Sequence, residues 1–194
     1  MTLRRATTAD LDALVALEAA CFDEPARWSA PSWQAELDGD NRAVWVVEAT
    51  RRAEDDGCQA FGELVSAGCF RLNGNEAELF RVMTAPETRG LGLATMVLTA
   101  GLAWAHQAGA DTMHLEVRRD NTTARSLYAD LGFTDAYVRT NYYAFGQDAV
   151  VMSRPLTDAP RDSAAVRASS PKTAAAHPSG RGLWAELHDV GEDE

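Results

Sequence analysis

The stretch AELFRVMTA, then PETRGLGLA, then LATMVLTAGLAWAHQ constrains this chain most, because it reads as a strand, a glycine-bearing turn and a long apolar helix closed by Gly109. A helix that opens directly after such a turn leaves its first backbone N–H groups unsatisfied, and the positive end of its dipole meets them at one spot. That spot binds anions. Gly90 and Gly92 let a ligand approach the backbone, and Ala94 keeps the first helical turn uncrowded, as a pyrophosphate requires. A P-loop is excluded, since no Gly-Lys-Ser/Thr follows. A dinucleotide fingerprint fails too: the sixth position counted from Gly90 is Thr95, and the preceding strands read as antiparallel.

The remaining pattern fixes the surroundings of this turn. A short strand lies near Leu3, and Thr8 or Asp10 is placed to cap a helix carrying Leu11, Leu14, Val15, Leu17 and Glu18. A second helix is expected near Ser32, after Pro31. The segments RAVWVVEA, CQAFGELVSAGCFRL and AELFRVMTA form a β-meander punctuated by Asp55-Asp56-Gly57 and Asn73-Gly74-Asn75. After the long helix come a strand, TMHLEV, a helix, NTTARSLYADLG, and two strands near FTDAYVRTNYY and DAVVMSR. The order is that of an α/β (α+β) sandwich with a mixed, mostly antiparallel sheet flanked by helices. Residues 1–155 make one domain of ordinary size. Residues 156–194, rich in Ala, Ser and Pro, are expected to form a flexible tail. The pattern around Leu183, Trp184 and Leu187 gives its acidic end either a short helix for docking on a partner or simple disorder.

Composition excludes several classes of function. A net charge of −11 disfavours nucleic acid as a ligand and suits a cationic substrate. No run approaches the roughly 20 apolar residues of a membrane helix. The opening MTLRRATTADLD is charged too early for a signal peptide, so a cytoplasmic location is expected. Cys21, Cys58 and Cys69 form no C-x-x-C pair, and His106, His114, His177 and His188 lack metal-ligand spacing, so no metal is expected.

Two residue types call for a chemical reason. Glu116 is a carboxylate on the mainly apolar strand HLEVRRDN, and Tyr128 lies on the helix that follows. As structural residues, Glu116 would pair with an arginine such as Arg118 or Arg81, and Tyr128 would be a core aromatic with its hydroxyl at the surface. As reactive residues they are a general base and a general acid. His114, on the same strand face as Glu116, is a strand histidine or a proton relay.

Arg89-Gly90-Leu91-Gly92-Leu93-Ala94 is similar to the Q/R-x-x-G-x-G/A loop of the Gcn5-related N-acetyltransferase (GNAT) family, with Arg89, Gly92 and Ala94 at the defining positions. LEVR followed by Asn121, then Leu-Tyr and Leu-Gly-Phe, and finally Asn141-Tyr142-Tyr143 with Asp148-Ala149 and Met152, resembles the RimI-type ribosomal-protein-alanine N-acetyltransferases. The resemblance implies a GNAT fold and acetyl-CoA as cosubstrate. It places the pyrophosphate at Arg89, Gly90, Leu91, Gly92, Leu93, Ala94 and Thr95, with Asn121 also on the cofactor. The backbone of Val82, Met83 and Thr84 would hold the pantetheine arm and the acetyl oxygen. Glu116 becomes the general base and Tyr128 the general acid toward the sulfur. Tyr142 and Tyr143 would wall a peptide groove, with Glu24 or Asp23 opposite, attracting a basic substrate. The implied partner is a protein or peptide with a free N-terminus, an N-terminal alanine of a small-subunit ribosomal protein. The alternatives are a small-molecule amine acetyltransferase and a non-catalytic acyl-CoA-binding regulator. The acidic turn RRAEDDG and the tail depart from the family pattern.

Overall fold

In a computed structural model, residues 1–24, 26–49 and 62–156 are described. The expected turn at Asp55-Asp56-Gly57, Cys58 and the whole tail beyond Leu156 lie outside the described residues.

The elements follow the order read from the sequence: β1 Thr2–Arg5, α1 Leu11–Cys21, α2 Ala30–Asp38, β2 Arg42–Ala49, β3 Glu63–Asn73, β4 Glu76–Thr84, α3 Leu93–Gln107, β5 Thr112–Arg118, α4 Thr122–Asp130, β6 Thr134–Ala144 and β7 Gln147–Pro155. The strands form one seven-stranded sheet in the order β1-β2-β3-β4-β5-β7-β6. Every pairing is antiparallel except β4 with β5, the pair joined through α3. Among the described residues no helix is long and apolar enough to cross a membrane.

Local chemistry sets the helix starts, and two differ from expectation. The chain enters α1 through a 3₁₀ turn, Thr8–Asp10, whose leading residue is Thr7. The Thr7 N–H donates to Asp10 Oδ2 (2.8 Å), and Arg4 binds both oxygens of the same carboxylate (2.9 and 2.7 Å). Asp10, one of the two expected caps, holds the N-cap position of α1 but makes no side-chain cap bond to it; its carboxylate instead closes the preceding turn and ties it to β1. Helix α2 starts at Ala30 rather than near Ser32, because Ser29 Oγ accepts from the Ser32 N–H and Pro31 sits in the first turn, where its missing donor costs nothing.

Helix α3 packs against β3 and buries Leu93, Val97, Leu98, Leu102 and Ala105. Gly101 lies against the Phe70 ring, and a Cβ there would collide with it. A mid-helix glycine disfavours the helix by about 1 kcal/mol relative to alanine, and here it permits close approach to the sheet.

A fork in the sheet positions the site. Strands β4 and β5 pair only from Glu76 with Thr112 to Leu79 with Leu115, although β4 runs on to Thr84 and β5 to Arg118. The cause is visible in the register on the other side of β4: Phe70 faces Leu79 and Cys69 faces Arg81, so Phe80 is an extra, bulged residue. A bulge bends its strand and disrupts the local ladder. Beyond Leu79 the two strands part.

Candidate active site

At the mouth of this fork stands the glycine turn. Gly90 and Gly92 take φ of 76° and 74°, and Gly92 is the N-cap of α3, with no side-chain cap bond. L side chains rarely adopt that conformation, so glycine is required by the backbone. No atom lies within 4 Å of where a Cβ would stand at either position, so the surrounding space is open to a ligand. The first helical bond runs from the Met96 N–H to the Gly92 carbonyl (3.1 Å), leaving the N–H groups of Leu93, Ala94 and Thr95 without intrahelical acceptors. Arg89 folds back over the turn, its Nε donating to the Thr84 carbonyl (3.3 Å).

The end of β4 is held from the β3 side. Ser66 Oγ donates to the Met83 carbonyl (2.9 Å) and lies 3.0 Å from Thr84 Oγ1, while Cys21 Sγ donates to the Thr84 carbonyl (3.4 Å). The opposite edge of Val82, Met83 and Thr84 faces the fork, where the β5 ladder has ended.

Tyr128 is fully buried on α4, edge-on to Phe133 with ring centroids 6.0 Å apart. Its hydroxyl has no hydrogen-bond partner among the described residues. Burial alone pushes this phenol well above the usual tyrosine range, so it keeps its proton at neutral pH. A buried hydroxyl without a partner costs about 1–3 kcal/mol, so it calls for an explanation. The structural alternative, a core aromatic with its hydroxyl at the surface, does not describe this residue. Asn121 caps α4, its Oδ1 accepting from the Ala124 N–H (3.0 Å).

Glu116 lies at the same fork, one residue past the last paired rung, and is only 8% exposed. Its pairing partner is neither Arg118, which binds Asp120 (2.6 Å), nor Arg81, which binds Glu18. Arg139 Nη1 approaches Oε1 at 2.6 Å, and the Tyr142 hydroxyl donates to Oε2 at 2.6 Å. Both donors come from β6, two places along the sheet, and they reach across β7 because β6 is irregular here. Its register with β7 jumps between Arg139 and Ala144, and Asn141 within the jump has φ of 54°. Asn141 is held there by Asp148 Oδ1 (3.0 Å to its N–H) and by the Gly146 N–H donating to its Oδ1 (2.7 Å). Asparagine tolerates this conformation better than most residues, and the irregularity re-aims the tyrosine. Burial, then the bond to Glu116, pushes the Tyr142 phenol far up. Tyr143 stacks edge-on against Tyr142 at 5.3 Å.

Sequence reasoning missed two residues and gave a third the wrong partner. Arg139 was one. The second is Glu78 on β4, in register with His114, whose carboxyl burial and the nearby charge of Glu116 push up to about 7. His114 itself is about one-third exposed, 3.9 Å from Glu76. The third is Arg81, fully buried with Glu18. This pair ties down the segment between α1 and α2: Glu18 Oε1 accepts from the Trp28 N–H (2.9 Å), Arg81 Nη2 donates to the Ala26 carbonyl (2.7 Å), and its guanidinium lies over the Phe22 ring at 3.7 Å. A charge in the apolar run LFRVM and another on the apolar face of α1 were the signals available. Glu24, on this segment, stands 78% exposed, 3.9 Å from Arg27.

A helix N-terminus behind two glycines, a forked strand pair, a buried phenol and a tethered carboxylate are the elements of the candidate site. The chain belongs to the Acetyltransferase (GNAT) family, whose profile matches residues 11–133. It is 37% identical over 86 residues to a [ribosomal protein bS18]-alanine N-acetyltransferase of Salmonella typhimurium, covering 43% of this chain and 58% of that protein. The Escherichia coli K12 protein of the same name is 35% identical over 99 residues, covering 50% and 67%. The matched segment thus spans roughly three-fifths to two-thirds of these relatives. In three dimensions the chain is similar to the crystal structure of the ribosomal-protein-S18-alanine N-acetyltransferase from Escherichia coli, with TM-score 0.68 and 25% identity over 83% of this chain and 97% of that one. It shares its fold with Arabidopsis thaliana NAA60 in complex with acetyl-CoA, at TM-score 0.66 and 16% identity over 79% of this chain and 97% of that one.

Proposed function

We propose that this protein is an acetyl-CoA-dependent N-acetyltransferase that acts in the cytoplasm on the α-amino group of a protein N-terminus, an N-terminal alanine of a small-subunit ribosomal protein. The relatives' named activity supports the substrate. The observation that carries the chemistry is the unpartnered, fully buried hydroxyl of Tyr128, on the helix that directly follows the strand of Glu116.

The residues present fit the cosubstrate. The N–H groups of Leu93, Ala94 and Thr95, with Gly90, Leu91 and Gly92 beside them, suit a pyrophosphate, and the family resemblance adds Arg89 and Asn121 as cofactor contacts. The open edge of Val82, Met83 and Thr84 suits the pantetheine amides and provides backbone N–H donors for a developing oxyanion. Acetyl-CoA supplies the activated acyl thioester. Glu116 accepts the proton of the substrate ammonium, directly or through a water, since an α-amino group has a reference pKa of about 8 and needs only a modest base. Tyr128 gives a proton to the leaving sulfur; its elevated pKa keeps that proton available. Tyr142, Tyr143 and Glu24 line the approach of the peptide.

The test is a panel of peptides beginning with Ala, Ser or Met, or carrying an internal Lys, each incubated with acetyl-CoA and the full chain and read by intact mass. The reading predicts a 1:1 acetylated product from the Ala peptide. Modification of aminoglycosides or polyamines, with every peptide untouched, would contradict it.

A further inference from the structure

Both oxygens of Glu116 are engaged, Oε1 by Arg139 and Oε2 by Tyr142. A proton that settles on this carboxylate competes with two short, charge-assisted bonds. A second carboxylate stands on the same sheet face at the same fork. Glu78 is in parallel register with His114, and Glu116 follows His114 by one alternation of the strand. Glu78 lies one rung before β4 and β5 part, and Glu116 one residue after.

We propose that Glu78 is the second proton site of the transfer reaction, taking over the proton that Glu116 receives from the substrate amine and handing it to water. The inference rests on the reading of Glu116 as the base. An N–H bond of the ammonium breaks with its electron pair left on nitrogen, and the proton binds a Glu116 oxygen. That O–H bond then breaks as the Glu78 carboxylate takes the proton, which restores the Glu116 carboxylate to Arg139 and Tyr142. Glu78, half-buried, releases the proton to solvent. Nothing is oxidised or reduced, and Glu78 acts through Glu116 as a positioning residue for the proton.

The groups facing Glu78 fit this role. Arg71 is opposite it on β3, Glu76 precedes it on β4, His114 and Glu116 lie on β5, and Arg139 reaches in from β6. Arg71 gives its own hydrogen bonds to Glu36 (2.9 Å for its Nε) and lies over the Phe80 ring, so its charge is shared with another carboxylate. Burial first, and the Glu116 charge next, hold Glu78 near neutrality, where a proton carrier is most effective.

The test has two arms, both on the full chain. Carbon-13 carboxyl NMR of glutamate-labelled protein without acetyl-CoA follows Glu78, assigned by the signal lost in Glu78→Gln. The expected midpoint is about pH 7, moving to lower pH in Glu116→Gln. In the second arm, Glu78→Gln lowers kcat roughly tenfold, leaves the KM for acetyl-CoA unchanged and removes the inflection near neutrality from the pH profile, whereas Glu78→Asp retains an inflection. A Glu78 midpoint below about pH 5, the ordinary carboxylate range, overturns the proposal. So does a Glu78→Gln pH profile that superimposes on the wild type. Wild-type protein inactive on every peptide instead overturns the substrate reading, and the NMR midpoint alone then decides the carboxylate pair.

Discussion

The Tyr142 hydroxyl donates a 2.6 Å hydrogen bond to Glu116 Oε2 from a strand that is not β5's neighbour in the sheet. The proposed substrate-side aromatic and the proposed base are therefore one unit, and the irregular turn of β6 at Asn141 is what joins them. Tyr142→Phe keeps the ring and removes the donor. A hydrogen bond to a charged group contributes about 1.5–3 kcal/mol, so kcat/KM for the peptide is expected to fall roughly tenfold to a hundredfold. Steady-state kinetics at saturating acetyl-CoA checks this, and the KM for acetyl-CoA should not move.

Tyr128→Phe separates chemistry from stability. The hydroxyl makes no hydrogen bond among the described residues, so deleting it removes a buried cost and should leave the thermal midpoint unchanged or raised. If Tyr128 is the proposed proton donor to sulfur, its loss should reduce kcat by about 10² to 10⁴. Thermal unfolding and single-turnover rates on the same preparation check both halves.

Gly92→Ala probes the turn. At φ of 74° an alanine costs about 1–2 kcal/mol, and its methyl enters the open space in front of the α3 N-terminus. The KM for acetyl-CoA should rise more than about tenfold while the KM for the peptide holds, as initial-rate measurements with each substrate varied would reveal.

The buried Glu18 and Arg81 pair gives a prediction about packing. Glu18→Leu leaves the Arg81 charge uncompensated in the core and should destabilise the fold by about 3–5 kcal/mol in urea unfolding. Adding Arg81→Met should restore most of that loss. The double variant still lacks the ties to the Trp28 N–H and the Ala26 carbonyl, so its KM for the peptide should remain raised.

The legibility of the sequence followed the range of the physics involved. Helix α3 was readable end to end because its apolar period and the glycines that bound it are local signals. The start of α1 was legible at Asp10, which holds the N-cap position, but its missing cap bond was not, because the carboxylate serves Arg4 on β1, a contact made only after folding. The fork was invisible for a similar reason: it depends on one extra residue, Phe80, in a register between two strands. Tyr128 and Glu116 stood out as residue types in unusual places, yet their environments did not. That Glu116 is held by Arg139 requires a side chain of β6 to reach across β7, and that Glu78 shares its face requires the parallel register of β4 and β5. Both are long-range pairings that no window of sequence contains.

The central claim, acetyl transfer to a protein N-terminus, is tested most directly with one peptide that carries both a free N-terminal alanine and an internal lysine. After incubation with acetyl-CoA and the full chain, fragmentation mass spectrometry locates the added acetyl group. The account predicts a single acetyl on the alanine nitrogen, lost in Glu116→Gln and in Tyr128→Phe. Acetylation confined to the lysine side chain would contradict it.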